Sequence, residues 1–412
     1  MRKNVIICAV CVACLFVTDR AEANPVKKSI QTGGYTREYL VYTPQHPVSA
    51  PPHGLLVMLH GFNKSMESFF DEYDFRSIAD SLNYIILSPQ ALPEQSESVK
   101  LKADILNLLM GDKLKLDAVW ACGLRVKATL GILTLLDDVL NKDVNDVDFL
   151  QYIIRQTLSD YDLPPDNIFI IGTSMGGFMA YQYALLQPVK IAGMVSVAGS
   201  MGLDVKQLSD KSGIKTPVCD FHSVTDEVVP YTGSFQQSGV TVTLAQRKEQ
   251  VIQGWVNLNQ CGAPSTENVN YYPSTNGITV EKITYPSTSN EVIHYKINGA
   301  PHNYFFKKEN GDCMDYREEI AKFIAAHASS SPVGITCPQQ PDIKVYPNPA
   351  RDVVYFGVET GRLTIYNLTG QTVWTGEFNA ASMNISFLKS GIYIFYIQAE
   401  GKQQAVKIMI NK

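Results

Sequence analysis

A run of four apolar residues, Ile168-Phe169-Ile170-Ile171, passes directly into Gly172-Thr173-Ser174-Met175-Gly176 and then into a helical stretch at 176–186. An all-apolar run this short fits a strand covered on both faces, as in the middle of a parallel sheet. The pentapeptide then fits a sharp strand-to-helix elbow. Gly172 and Gly176 leave room for a tight backbone, and the strained turn lifts the Ser174 hydroxyl clear of the sheet. The Met175 N–H opens the helix and is directed at negative charge developing beside the serine. The same letters describe a helix start capped by a serine; the strand before them favours a nucleophile.

Short apolar runs recur at 39–42, 55–59, 84–87, 191–197, 218–221 and 293–297. Between them Val147, Leu150, Ile153, Ile154 and Leu158 form a helical stripe, which Asn145 or Asp146 could cap. Pro164-Pro165 ends it, and Ile320, Phe323 and Ile324 supply the apolar face of a last helix. The polar stretch 93–102 reads as a loop and 103–140 as helix plus active-site loop. Alternating strands and helices predict an α/β domain with a mostly parallel central sheet. A chain of 412 residues, 45% hydrophobic, is long enough for that core and a further domain. The formal charge of -5 gives no reason to expect a nucleic-acid partner or an anionic membrane surface.

At the N-terminus Arg2 and Lys3 precede an apolar stretch at 5–17, and Ala21-Glu22-Ala23 offers a cleavage site, the pattern of a secretory leader at 1–23. Cys8, Cys11 and Cys14 raise a lipoprotein alternative, but none has a leucine three residues before it. No later segment supplies the roughly 20 apolar residues of a transmembrane helix. Export permits disulfides among Cys122, Cys219, Cys261, Cys313 and Cys337, an odd set whose pairing the sequence leaves open. Their spacing suggests no metal site. The catalytic region spans 24–328. Residues 329–341 have the serine- and proline-rich character of a linker, and 342–412 hold only strand-like segments, at 353–358, 363–367, 372–374, 385–387, 392–398 and 405–410. With turns at Thr369-Gly370, Ser390-Gly391 and Glu400-Gly401, this tail is expected to be a small all-β sandwich.

A serine hydroxyl needs a base at neutral pH. Of the seven histidines, His302 lies late in the domain, in a loop after the 293–297 strand. His60 sits at a strand end, where it shapes the following loop, and His222 follows another strand in a supporting position. Asp226, in the loop after 218–221, is the expected acid, with Glu227 and Asp220 as rivals; it would accept the far imidazole N–H and hold the tautomer that takes the serine proton. The turn His60-Gly61-Phe62 would bring the Phe62 N–H beside that of Met175 as a second oxyanion donor.

His60-Gly61, the elbow through Gly177, Asp226 with Val229-Pro230-Tyr231, and Pro301-His302 together resemble the secreted polyhydroxybutyrate depolymerase and feruloyl esterase group, related to carbohydrate esterase family 1. The run from Asp146-Val147-Asp148-Phe149 through Tyr161 to Asp166-Asn167-Ile168-Phe169 resembles that group's approach to its elbow. The resemblance spans about 31–328. It implies an α/β-hydrolase with Ser174, Asp226 and His302 as its triad, no cofactor and no metal. Its substrates would be carbohydrate-linked or small esters: feruloyl or acetyl esters of plant-wall polysaccharide, or alternatively short hydroxyacid polymers. Phe62 stands where the group often has cysteine and Tyr304 where it often has tryptophan, departures that weaken the polyester reading. Trp255, with Asn259-Gln260-Cys261-Gly262, resembles a later tryptophan segment of the group. Trp120, Trp255, Tyr304 and His60 are thus expected near the substrate, with loops at 93–130 and 232–289 shaping the pockets; for Trp120, packing beneath a loop is the alternative. A serine peptidase on the same fold and a non-catalytic glycan-binding protein are the other readings.

The tail has its own resemblance. Val345-Tyr346-Pro347-Asn348-Pro349-Ala350, Ile365-Tyr366-Asn367-Leu368-Thr369-Gly370, Leu388-Lys389-Ser390-Gly391-Ile392-Tyr393 and Val406-Lys407-Ile408 are very similar to the type A C-terminal sorting domain of the type IX secretion system. That implies the type IX machinery as partner and a secreted or outer-membrane-surface location in a Bacteroidetes-type bacterium. A substrate-binding module is the alternative.

Overall fold

In the computed structural model, residues 24–44, 52–110, 115–187, 189–202, 215–302, 304–329, 345–367, 371–399 and 402–412 are described. The expected leader, Cys337 and all of the expected linker after Ser329 lie outside them. The chain divides into two compact units, Met1–Ser331 and Pro332–Lys412.

The first unit contains, in chain order, β1 (Val26–Thr32), β2 (Tyr35–Tyr42), β3 (Gly54–Leu59), β4 (Tyr84–Pro89), β5 (Arg125–Leu130), β6 (Leu133–Val139), β7 (Ile168–Thr173), β8 (Gly193–Val197), β9 (Val218–Ser223), β10 (Ser234–Gln237), β11 (Val240–Thr243), β12 (Ser265–Asn268), β13 (Thr279–Tyr285) and β14 (Val292–Asn298). Among the described residues its helices are α1 (Met66–Tyr73), α2 (Arg76–Leu82), α3 (Glu97–Met110), α4 (Asp146–Asp160), α5 (Met175–Leu186), α6 (Lys248–Asn259) and α7 (Tyr316–His327). A 10-stranded sheet has the order β1-β2-β4-β3-β7-β8-β9-β14-β13-β12. The strands from β4 to β14 in that order run parallel, with antiparallel pairs at both edges.

Alternate side chains of the central strands go to opposite faces. Leu55, Val57, Ile168 and Ile170 pack with Phe149 and Ile153 of α4, Met179 of α5 and Trp255 of α6. Leu56, Met58, Phe169 and Ile171 pack with Phe69 of α1, Ile78 of α2 and Phe323 of α7. The sheet is therefore sandwiched between two helical layers. Each fully buried side chain of β7 contributes roughly 1.5–3 kcal/mol. Their sum exceeds the roughly 1–3 kcal/mol that one strained residue at the strand's end costs.

Two segments differ from the sequence reading. The polar stretch at 93–102 is not all loop: α3 begins at Glu97, because Val99, Ala103 and Leu106 form a buried face at helical spacing beneath exposed charges. The region 103–140 ends not in an active-site loop but in the β5–β6 hairpin, whose Val126 and Ala128 point inward, and which joins β10 and β11 in a separate 4-stranded sheet. Likewise 232–289 is largely built from β10, β11, α6, β12 and β13. Cys122, Cys219, Cys261 and Cys313 are free thiols rather than disulfide partners.

The second unit comprises β15 (Val345–Tyr346), β16 (Val353–Phe356), β17 (Gly361–Asn367), β18 (Thr372–Phe378), β19 (Ser382–Asn384), β20 (Gly391–Ala399) and β21 (Lys402–Ile410). They form two antiparallel sheets, β15-β16-β19 and β18-β17-β20-β21. Val354 and Phe356 from one share a core with Leu363, Ile365, Phe395 and Ile397 from the other. The strand expected at 385–387 lies instead at Ser382–Asn384, and Ile385 enters the core from the turn after it.

Candidate active site

At the end of β7 the backbone of Ser174 adopts φ 51° and ψ -120°, a left-handed conformation unusual for a residue with a side chain. The Ser174 N–H donates to Val197 O of β8 at 2.8 Å, and α5 begins with the next residue. The elbow tolerates only glycine at two points. A Cβ on Gly172 would lie 2.0 Å from Gly176 O, and one on Gly176 would lie 1.9 Å from Leu59 O. That second approach places the elbow against the end of β3, where the chain turns through His60-Gly61-Phe62.

The His302 ring faces Ser174 Oγ with Nε2 at 2.9 Å and Asp226 Oδ2 with Nδ1 at 2.7 Å. Asp226 Oδ1 accepts the N–H groups of Val228 and Val229 at 2.9 and 2.8 Å. Burial would raise this carboxyl's pKa, but the His302 hydrogen bond and charge, the nearby His222 and the Val229 N–H together hold it below the usual carboxylate range. The loops bearing Asp226 and His302 are tied together: the Ser223 and Thr225 hydroxyls donate to Ala300 O at 2.6 and 3.0 Å, and the His302 N–H reaches Glu227 Oε2 at 3.2 Å. Of the two rival acids, Glu227 thus contacts the backbone of His302 rather than its ring. Asp220 lies behind the site, bound to Lys248 Nζ at 2.9 Å.

His60 is buried, yet it organises the turn beside Ser174. Its Nε2 accepts the Ala91 N–H at 3.0 Å and its Nδ1 faces Gly61 O at 2.8 Å, which sets the tautomer with hydrogen on Nδ1. Burial pushes its pKa down to about 4, so the ring is neutral at physiological pH. Trp120 donates its indole N–H to His60 O at 2.8 Å and packs against the imidazole, 5.0 Å between centroids.

A cavity of about 250 Å³ opens onto Ser174 and His302. Phe62, Phe69, Tyr73 and Val228 supply its apolar wall, and Lys64 and Glu72, paired at 2.6 Å, also line it. Burial pushes the Tyr73 phenol up to about 12, so it is a neutral hydroxyl at physiological pH. Of the side chains expected at the substrate, His60 lines this cavity but has both ring nitrogens engaged. Trp120, Trp255 and Tyr304 do not line it. Trp120 is fully buried beneath the His60 turn, Trp255 is fully buried against Tyr181, and the Tyr304 hydroxyl donates to Asp312. Trp120 and Trp255 are drawn into packing rather than left at an entrance.

The α1 wall was absent from the sequence reading. Its signal was present: Met66, Phe69, Phe70 and Tyr73 have helical spacing, and Ser65 caps the helix reciprocally with Ser68.

Comparison with known proteins gives two family matches. Residues 139–253, containing Ser174 and Asp226, match the Phospholipase/Carboxylesterase family, and 344–411 match the Secretion system C-terminal sorting domain. Among individual proteins, the chain is 29% identical over 133 residues to feruloyl esterase B of Piromyces equi, covering 31% of this chain and 24% of that protein. It is 26% identical over 91 residues to acyl-protein thioesterase 1 of Debaryomyces hansenii, covering 22% and 39% respectively. The chain thus spans well under half the length of these curated relatives. A solved acetyl xylan esterase from Aspergillus awamori has a TM-score of 0.48 at 13% identity, covering 73% of this chain and 99% of that one. The first unit has the α/β-hydrolase fold, and the second unit is a type IX sorting domain.

Proposed function

We propose that this chain, an α/β-hydrolase of the carboxylesterase kind with a type IX sorting tail, is an exported serine esterase acting on feruloyl or acetyl esters of plant-wall polysaccharide. The observation that carries the reading is the continuous chain of contacts from Ser174 through His302 to Asp226, at 2.9 and 2.7 Å, opening into a cavity. Ser174 Oγ gives its proton to His302 Nε2 as it attacks the ester carbonyl. The Met175 and Phe62 N–H groups receive the oxyanion, and His302 returns the proton to the departing alcohol. Water repeats the cycle on the acyl-enzyme and releases the acid. Asp226 keeps the imidazole in the required tautomer and stabilises it when it becomes cationic.

The choice of acyl group rests on the cavity and on the relatives. Phe62, Phe69 and Tyr73 provide apolar surface for an aryl acyl group, and the Tyr73 hydroxyl offers it a polar contact. The feruloyl esterase among the relatives favours the same class. The sorting tail supports passage through the outer membrane and a secreted or surface location in a Bacteroidetes-type bacterium.

The test is product release from feruloylated arabinoxylan, acetylated xylan and hydroxybutyrate oligomers, by the full chain and by Ser174→Ala. Ferulate or acetate release that falls about a million-fold in the variant is the expected result. Release unaffected by the substitution overturns the Ser174 mechanism; activity on hydroxybutyrate oligomers alone overturns the polysaccharide-ester reading.

A further inference from the structure

Behind the reacting groups lies a second histidine that the mechanism does not use. His222, at the end of β9, is 1% exposed. Its Nδ1 faces Gly199 O at 2.9 Å and its Nε2 faces Val229 O at 2.8 Å, while Nε2 also lies 3.6 Å from Asp226 Oδ2. Carbonyl oxygens only accept, so a neutral imidazole can satisfy one of these two neighbours and must turn a lone pair toward the other. Gly199 O is also served by Lys248 Nζ. The single proton therefore belongs on Nε2, toward Val229 O, with the Lys248 ammonium offsetting the lone pair at Nδ1.

Val229 makes this placement matter. The same residue donates its N–H to Asp226 Oδ1 at 2.8 Å and accepts His222 at its carbonyl. Rotation of that segment would carry the N–H away from Asp226 and alter the angle at which Oδ2 meets His302. We infer that His222 is a positioning residue for the triad acid: its Nε2–H, delivered to Val229 O, locks the loop that orients the Asp226 carboxylate. This rests on the reading of Ser174, His302 and Asp226 as the reacting groups. Lys248 fixes the other side of the ring by sharing Gly199 O and is itself anchored on Asp220 at 2.9 Å. Burial and the Lys248 charge push the His222 pKa down to about 4, with Asp220 and Asp226 opposing them, which leaves the ring neutral at physiological pH.

The experiment follows covalent labelling of Ser174 in the full chain by a fluorophosphonate, so no ester need be identified. His222→Phe keeps the ring's bulk and removes its donor, whereas His222→Gln keeps a donor. The maximal labelling rate should fall about 10 to 100-fold in His222→Phe with the reagent's half-saturation unchanged, the size expected when a catalytic group is slightly misplaced. In His222→Gln it should recover to within about threefold of wild type, about 0.7 kcal/mol or less. The downfield proton resonance of the His302–Asp226 hydrogen bond should shift or broaden in the first variant and return in the second. Equal rates in wild type and His222→Phe overturn the inference, as does equal loss in both variants. Should His222→Phe not fold, nitrogen-15 NMR of wild-type His222 decides: a protonated Nε2 supports the role and a bare Nε2 overturns it. Wild type that fails to label at Ser174 sinks the triad reading instead.

Discussion

Asp220 and Asp226, both buried near the end of β9, have opposite surroundings. Asp220 is wholly enclosed: Lys248 Nζ and the Tyr181 hydroxyl reach Oδ1 at 2.9 and 2.8 Å, and His294 Nδ1 lies 2.9 Å from Oδ2. Burial alone would raise its pKa; Lys248 foremost, then His294, instead hold it far below the carboxylate range. Asp226 has backbone N–H groups, the His302 imidazole, whose other nitrogen faces Ser174, and the neutral His222 ring at 3.6 Å. A carboxylate balanced by a standing ammonium has little reserve for a passing charge. One balanced by hydrogen bonds can stabilise an imidazolium when it forms, so charge compensation, more than depth of burial, separates Asp220 from Asp226, the carboxylate proposed as the triad acid.

Two substitutions test that separation. Asp226→Asn should lower ester turnover about 10⁴-fold, because an amide can hold His302 in the wrong tautomer; steady-state kinetics with a chromogenic acetate ester checks this, and a loss below tenfold would place the acid elsewhere. Its melting temperature should move little. Asp220→Asn should reverse the pattern. It leaves the buried Lys248 without its counter-charge and should destabilise the fold by about 3–5 kcal/mol, read from urea unfolding. Turnover well below its melting temperature should stay within about tenfold of wild type, since Asp220 touches no reacting group. If both variants lose activity and stability together, the two carboxylates form one unit and the contrast fails.

How much of this was legible in the sequence follows the same division. Short apolar runs and the glycine-bounded Ser174 announced β3, β7, β9 and α5, because a strand buried on both faces admits few other compositions. Order along the chain sufficed to nominate Asp226 and His302, which the fold brings within hydrogen-bond reach. The surroundings were not legible. Lys248, His294 and Tyr181 meet Asp220 from α6, β14 and α5, contacts that no local pattern encodes. Trp120 and Trp255 were expected at the substrate because an aromatic ring has the same letter whether it faces ligand or core. The start of α3 at 97–102 was hidden by its charged outer face, whereas the helix expected after 103 is its continuation to Met110.

The smallest expected effect is on acid stability, and it ranks the two carboxylates directly. Each is held below its ordinary pKa in the folded protein. Each therefore contributes stability that is complete above the ordinary carboxylate range and is lost as pH falls through the folded value, where the unfolded chain already binds the proton. Asp220 is held further down, so it supplies more of the fall in unfolding free energy between about pH 6 and pH 3. Urea unfolding across that interval should give the steepest pH dependence for wild type, a slightly shallower one for Asp226→Asn and the shallowest for Asp220→Asn. Reversal of the last two would mean that Asp226, with no standing cation, is nevertheless the more strongly stabilised charge, and that hydrogen bonds alone outweigh the buried ammonium.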